Sequence, residues 1–313
     1  MSSLVVQSPG MLTTVQDLGR AGFGMLGVSA SGAADPVALR LGNLLVGNEP
    51  GAAALEMTLT GGTFVFPEGA VVALTGADFA PSLNGRPIEL WTPHAAFPGS
   101  RLILGPTKDF ARAYLAVAGG VRVNPFLNSA STHLLSGLGG FEGRALRKGD
   151  VLTLGEPTKR ILKKRISPNV LLNLQPGKVL RVTEGPQFEQ FPGEVREAFF
   201  CATFRVTEES DRMGLRLQGP SLVIRGGAEM ITEGVCLGAI QVTPSGQAII
   251  LFVDQQTAGG YPKIANVIGV DLHRLGQLRP RAEIRFERTS FDVASSLWIE
   301  QERLLNSPEQ LFS

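Results

Sequence analysis

Cysteine is nearly missing: Cys201 and Cys236 are the only two in 313 residues. A disulfide scaffold is thereby excluded, and their apolar neighbours suggest buried free thiols in a reducing compartment. The three histidines, His94, His133 and His273, have no second His or Cys at ligand spacing, so no metal ligand set is expected. Neither charge is in excess, with 29 Lys plus Arg against 28 Asp plus Glu. Without a basic surplus, no nucleic-acid partner is expected. No run of about 18 apolar residues is present, so no membrane-crossing helix is expected. The opening Met1-Ser-Ser-Leu-Val-Val-Gln lacks the charged start and apolar core of a signal peptide. A cytoplasmic protein is the expectation.

What is plentiful is punctuation: 38 Gly and 20 Pro. Short apolar runs alternate with turn signals about every ten residues, the pattern of an all-β sandwich or barrel rather than of βαβ units. Strands are expected at Leu55–Thr60, Thr63–Phe66, Val71–Thr75, Ile88–Trp91, Leu102–Leu104, Ala113–Ala118 and Val151–Leu154. Asn84-Gly85 reads as a hairpin turn. One helix interrupts this half, with Asp35 as its cap, Pro36 at the first position and Val37, Leu41, Leu44 and Leu45 on one stripe. The second half offers strands at Val179–Val182, Phe204–Thr207, Leu215–Leu217, Ala239–Val242, Ala248–Val253, Ile264–Ile268 and Glu283–Phe286. Helices are expected near Glu194–Phe200 and from Asp292 to about Leu305. Between the halves, Glu156 to Lys178 carries six basic residues and three prolines without a clear period, and its Lys159–Arg165 cluster reads as a solvated linker. The expected organisation is an N-terminal domain over 1–156, a linker over 157–178 and a C-terminal domain over 179–313. "LRKGDVLTL" and "LRPRAEIRF" each close a half with Leu-Arg, a turn and an apolar strand, which hints at duplication.

Gly22-Phe-Gly24-Met-Leu-Gly27 spells G-x-G-x-x-G. A dinucleotide loop needs a strand before these glycines and a helix directly after them. The expected helix starts eight residues beyond Gly27, so the match is an accident of spelling. No Walker loop and no Gly-x-Ser-x-Gly elbow is present.

Polar clusters at the ends of apolar strands are natural pocket walls. The first holds Gln16, Asp17 and Arg20, followed by Asp35. The second is Ser210-Asp211-Arg212-Met-Gly214. The third runs from Gln241 through Asp254-Gln255-Gln256-Thr257 to Gly259-Gly260-Tyr261-Pro262-Lys263. Asp211 and Arg212 read either as a pair across a turn or as reactive groups, and Asp35 primarily as a helix cap. Asp254 is either solvated or kept for use.

Three long stretches resemble the allophanate hydrolase subunit 2 family, which is carboxyltransferase-like and includes the C component of bacterial 5-oxoprolinase. They are "TVQDLGRAGFGMLGVSASGAAD" with the following "NLLVGN", then "SDRMGLRLQGP", then "EGVCLGAIQVTPSGQAIILFVDQQTAGGYPKIANVIGVDL". "YLAVAGGV" and "GGFEGRALRKGD" also resemble it, so the likeness spans about Thr14 to Phe286. Arg279-Pro-Arg-Ala departs from the usual Pro-Gly turn. No Met-Lys-Met biotin-attachment site and no ATP-grasp segment is found. The resemblance implies a mainly β fold of two cyclophilin-like β-barrel domains with a few short helices. It implies an ATP-dependent 5-oxoprolinase complex that opens a lactam. That complex would be formed with a partner of the allophanate hydrolase subunit 1 type, its B component, and with a third, A component. On that view Asp211, Arg212, Asp254 and Lys263 are catalytic. Gln16, Asp17, Arg20, Asp35, Gln241, Gln255 and Tyr261 then bind the small amide or lactam substrate. Two other roles stay open under the same resemblance. One is a binding partner that sequesters a kinase-inhibitory homologue of subunit 1; the other is the carboxyltransferase component of a biotin-dependent urea or amide carboxylase.

Overall fold

In a computed structural model, residues 2–157, 164–224 and 230–313 are described. The chain forms two compact units: residues 1–20, 31–174 and 307–313 make the first, and residues 21–30 and 175–306 the second. Each therefore takes a segment that a single linear cut would give to the other. The expected cut fell in 157–178, and most of the Lys159–Arg165 cluster lies outside the described residues. The rest of that stretch is not featureless, because Pro168–Leu174 is helical. Beside it, Ile166 bridges Phe312 and Ser167 N–H donates to the Leu311 carbonyl, which ties the C-terminal tail to the first unit.

The first unit is built from two antiparallel sheets. One has seven strands in the order 121–122, 151–154, 3–8, 63–66, 100–103, 82–83 and 86–87; the other has five, in the order 12–16, 54–58, 112–117, 70–76 and 93–96. Alternation decides where the core forms. Along Arg112–Val117 every residue is buried, but the two faces bury different things. Ala113, Leu115 and Val117 join Leu4, Val6, Phe64, Phe66 and Leu152 of the other sheet in one apolar cluster. Tyr114, on the opposite face, packs with Ala38 and Leu39 of the helix Pro36–Leu45. Gly42 lets that helix approach closely, since a Cβ there would lie 3.3 Å from the Ala116 methyl. The Asp35 carboxylate accepts from Ala38 N–H at 2.9 Å, so the helix starts where the cap and Pro36 dictate. Asn84 and Gly85 both take positive φ (52° and 79°) and turn the hairpin between 82–83 and 86–87. Ile88–Trp91 is not a strand; the pairing resumes at Pro93–Ala96, after Trp91 has taken a φ of 61°.

The second unit closes into a seven-stranded barrel, in the order 179–184, 263–267, 239–242, 248–251, 214–218, 204–206 and 283–288, with the ring completed by a parallel pairing of 283–288 on 179–184. The two segments that hinted at duplication both pair with the first strand of their half. Val151–Leu154 does so antiparallel and Glu283–Arg288 parallel. Phe199 of the helix Gly193–Cys201 stacks on Phe286 with centroids 4.6 Å apart, sealing one side of the barrel. A separate two-stranded ribbon joins Glu233–Gly234 to Ala258–Gly259. Both cysteines are free, as expected, but their side chains are exposed rather than buried.

Candidate functional site

In the second unit, the strand 248–251 ends and the chain turns so that Asp254 N–H donates to the Arg212 carbonyl at 2.8 Å. This backbone tie brings the two side chains together. Arg212 Nε donates to Asp254 Oδ2 at 2.8 Å and Nη2 to Oδ1 at 3.3 Å, both residues being buried. The two-pronged match of a planar guanidinium to a carboxylate fixes the orientation of each. Asp211 is placed differently. It is exposed, and its Oδ1 accepts from Met213 N–H at 2.8 Å and Gly214 N–H at 3.1 Å. Asp211 thus shapes the turn and leaves Arg212 to Asp254.

Lys263 opens the strand 263–267, opposite Gln241 of the strand 239–242, and is 3% exposed. Its backbone is clamped by Gln187: Lys263 N–H donates to Gln187 Oε1 at 3.0 Å, and Gln187 N–H donates to the Lys263 carbonyl at 3.3 Å. The ammonium pairs with Glu233 Oε1 and reaches the Tyr261 carbonyl at 3.5 Å. Gln187 Nε2 donates to the same Glu233 oxygen at 3.0 Å. These two donors, Lys263 before Gln187, hold the Glu233 carboxyl below the ordinary value. Gln241 is buried and donates from Nε2 to the Tyr261 carbonyl at 3.4 Å. A Cβ at position 259 would stand 2.6 Å from that same amide nitrogen, which explains the glycine there. Tyr261 itself is 40% exposed, and Gln255 is half-buried with Oε1 unpartnered.

In the first unit, Asp17 is surrounded by donors. Its Oδ1 accepts from Gly19 N–H at 2.7 Å and from the Ser129 and Ser131 hydroxyls, and its Oδ2 from Ala130 N–H at 2.6 Å. A carboxylate so enclosed organises its loop. Arg20 donates to the Ser131 carbonyl and lies over the Phe126 ring at 5.5 Å. Gln16 donates from Nε2 to Thr14 Oγ1 at 3.0 Å and to the Thr132 carbonyl at 3.1 Å, while its buried Oε1 has no partner. Gly140 (φ 56°) comes so close that a Cβ would meet the Thr132 hydroxyl at 1.8 Å. Asp35 is buried as well as capping: its N–H donates to Tyr114 Oη at 2.7 Å, and that hydroxyl donates to Glu56 Oε2 at 2.7 Å. Burial, then the Glu56 and Asp35 charges, push the Tyr114 phenol well above its ordinary value, so it stays a donor.

The structure therefore joins Arg212 to Asp254, and Lys263 to Gln241 through the Tyr261 carbonyl. It gathers Gln16, Asp17 and Arg20 in the other unit. Gln187, Glu233, Ser129, Ser131, Glu56 and Tyr114 were missed by sequence reasoning. Among the described residues, no group of three or more His, Cys, Asp or Glu could hold a metal ion, and no helix is long and apolar enough to cross a membrane. The Gly22–Gly27 segment is a 3-10 turn over Gly24–Leu26, with Leu26 and Gly27 N–H already bound to the Phe23 and Gly24 carbonyls. Those N–H groups do not form the open cradle that a phosphate needs at a helix start.

Residues 26–288 match the model of the carboxyltransferase domain, subdomain A and B, and the chain belongs to that family. Among its relatives, the chain is 39% identical over 298 residues to the 5-oxoprolinase C subunit of Escherichia coli, covering 94% of each. It is 37% identical to the 5-oxoprolinase C subunit of Haemophilus influenzae, covering 91% of this chain and 90% of that one. The crystal structure of the Kluyveromyces lactis urea carboxylase superposes with a TM-score of 0.91 at 31% identity, over 99% of this chain but only 30% of that one.

Proposed function

We propose that this chain is the C-type subunit of an ATP-dependent 5-oxoprolinase, a cytoplasmic complex that opens the lactam of 5-oxo-L-proline to L-glutamate. The partners in this reading are a B-type subunit, related to allophanate hydrolase subunit 1, and a third, A-type one. The observation that carries it is the end-to-end correspondence with a protein named as the C subunit of 5-oxoprolinase, 94% of each chain. A lactam is a poor electrophile because its C–N bond has partial double-bond character. Opening it needs cationic or N–H donors where negative charge develops on the amide oxygen, and a group that moves a proton to the departing nitrogen. Lys263, its backbone clamped by Gln187, supplies an ammonium for the substrate's negative charge. Asp254, oriented by Arg212, supplies the carboxylate that handles the proton. Gln241 and Tyr261 flank Lys263 and bind the substrate's polar edge, with Gln255 as a further binding group; Asp211 supports its turn and Asp35 caps its helix. ATP is spent by the complex. The glycine turn at Gly22–Gly27 does not fit a phosphate, because its N–H groups are used within the turn.

The test is reconstitution. The three purified subunits together are expected to hydrolyse ATP only when 5-oxoproline is present, and omission of this chain is expected to abolish that turnover. A tight complex without turnover sinks the reading. A second reading, carboxyl transfer to urea or a similar amide, is favoured by the TM-score of 0.91 to the urea carboxylase. It predicts urea-dependent turnover only with a biotinylated carrier.

A further inference from the structure

Lys263 is almost fully enclosed, and an enclosed ammonium needs an anion beside it. The anion it has is Glu233, whose side chain is 43% exposed against 4% for the lysine. The two partners sit on unlike supports. Lys263 begins a barrel strand, and Gln187 binds both its N–H and its carbonyl. Glu233 sits on a ribbon only two residues wide on each side, Glu233–Gly234 against Ala258–Gly259. Gln187 adds a second donor, its Nε2, to the same carboxylate oxygen that Lys263 holds. One fixed cation and one fixed amide N–H thus converge on a single carboxylate oxygen, and the carboxylate they grip is the half-exposed member.

We propose that Lys263 Nζ and Gln187 Nε2 form a receptor for a ligand carboxylate, and that Glu233 is the chain's own occupant of it, displaced when the ligand binds. The inference deepens the 5-oxoprolinase reading and rests on it for the identity of the ligand, since 5-oxoproline carries a carboxylate beside its lactam. The exchange keeps charge balanced: one carboxylate leaves the ammonium and another takes its place, so the enclosed cation is never left unpaired. Glu233 competes from within the same chain, at the high effective concentration that tethering gives. Its presence weakens every external carboxylate and leaves neutral amides unaffected.

The experiment measures binding to the full chain by calorimetry or ligand-observed NMR, with acetate, 5-oxoproline and the uncharged lactam 2-pyrrolidinone as probes. Glu233→Gln removes the internal anion and keeps the shape. Acetate and 5-oxoproline are expected to bind at least fivefold more tightly to the variant, and 2-pyrrolidinone equally to both proteins. Lys263→Met in the Glu233→Gln background is expected to lose the gain, and a thermal melt of each variant checks that it is folded. Carboxylate binding that is unchanged, weaker or undetectable in Glu233→Gln overturns the proposal, as does an equal gain by 2-pyrrolidinone. Because acetate binding needs neither a partner nor turnover, the receptor can fail while the complex hydrolyses 5-oxoproline. The reverse outcome, tighter acetate with no turnover in the complex, leaves the receptor standing and removes the 5-oxoprolinase.

Discussion

Arg212 and Asp254 show how much one pairing can decide. Both are buried, and each is the other's two-pronged partner. Removing one member of such a pair takes the two-pronged counter-ion from a charge in a poorly solvated place, which typically costs about 3–5 kcal/mol. Asp254→Ala is therefore expected to lower the unfolding free energy by about that amount, and Arg212→Ala by a similar amount. The double variant is expected to lose less than the sum, because the interaction between the two side chains is lost only once. Denaturant unfolding of the four proteins measures this; additive losses would mean the two side chains are energetically independent. The consequence for function is that activity lost in either single variant must be read beside its stability. The Lys263 pair is one-sided: removing Lys263 leaves Glu233 half in water, whereas removing Glu233 strands an enclosed ammonium unless another anion replaces it.

At the scale of elements, local chemistry spoke clearly wherever it acted between near neighbours. Asp35-Pro36 set the helix start, Asn84-Gly85 set a hairpin, and alternating apolar residues located most barrel strands. It spoke falsely at Ile88–Trp91, where β-favouring residues are used in a turn because Trp91 takes a positive φ. The candidate site was legible by half. Arg212, Asp254 and Lys263 stand at or just beyond strand ends, where polar clusters are visible in the sequence, and Gln241 lies inside the strand 239–242. Gln187 and Glu233 were missed, because Gln187 is 76 positions from Lys263 and 46 from Glu233, and nothing local marks either. Arg281 is a local departure with a structural meaning. It stands in the turn before the strand 283–288, with a φ of 70°, and its guanidinium pairs with Glu208 on the surface. A side chain in that left-handed region costs about 1–2 kcal/mol. Arg281→Gly and Arg281→Ala both lose the Glu208 pair, but only glycine relieves the backbone. Arg281→Gly is expected to be more stable than Arg281→Ala by about 1 kcal/mol, read from their thermal or denaturant midpoints. Equal midpoints would mean that the turn carries no strain.

For the molecule as a whole, near-balanced charge puts the pH response in the hands of individually paired carboxylates. Glu68, Asp78 and Asp150 in the first unit and Glu233 in the second all have carboxyl groups held below their ordinary values. Asp150 is the clearest case, with Arg144 Nη1 at 2.7 Å and Nη2 at 3.0 Å, and Arg147 N–H at 2.7 Å. A carboxyl whose value is lowered by folding stabilises the fold fully above its unfolded value. That contribution is lost as the pH falls through the lowered, folded value. Stability is therefore expected to be level from about pH 7 down to about pH 5 and to fall below about pH 4, where unfolded carboxyls take up protons before folded ones do. Asp150→Asn lacks one of these groups, so its urea midpoint should start lower at neutral pH and decline less steeply towards acid. The Asp150 side chain is mostly shielded but Arg144 and Glu142 face water, so solvent screening keeps the difference modest. Because the effect is electrostatic, it should shrink further as salt is added. Parallel acid profiles for the wild-type and Asp150→Asn proteins at low salt would show that this pair contributes nothing to the response, and would shift the burden to the remaining three carboxylates.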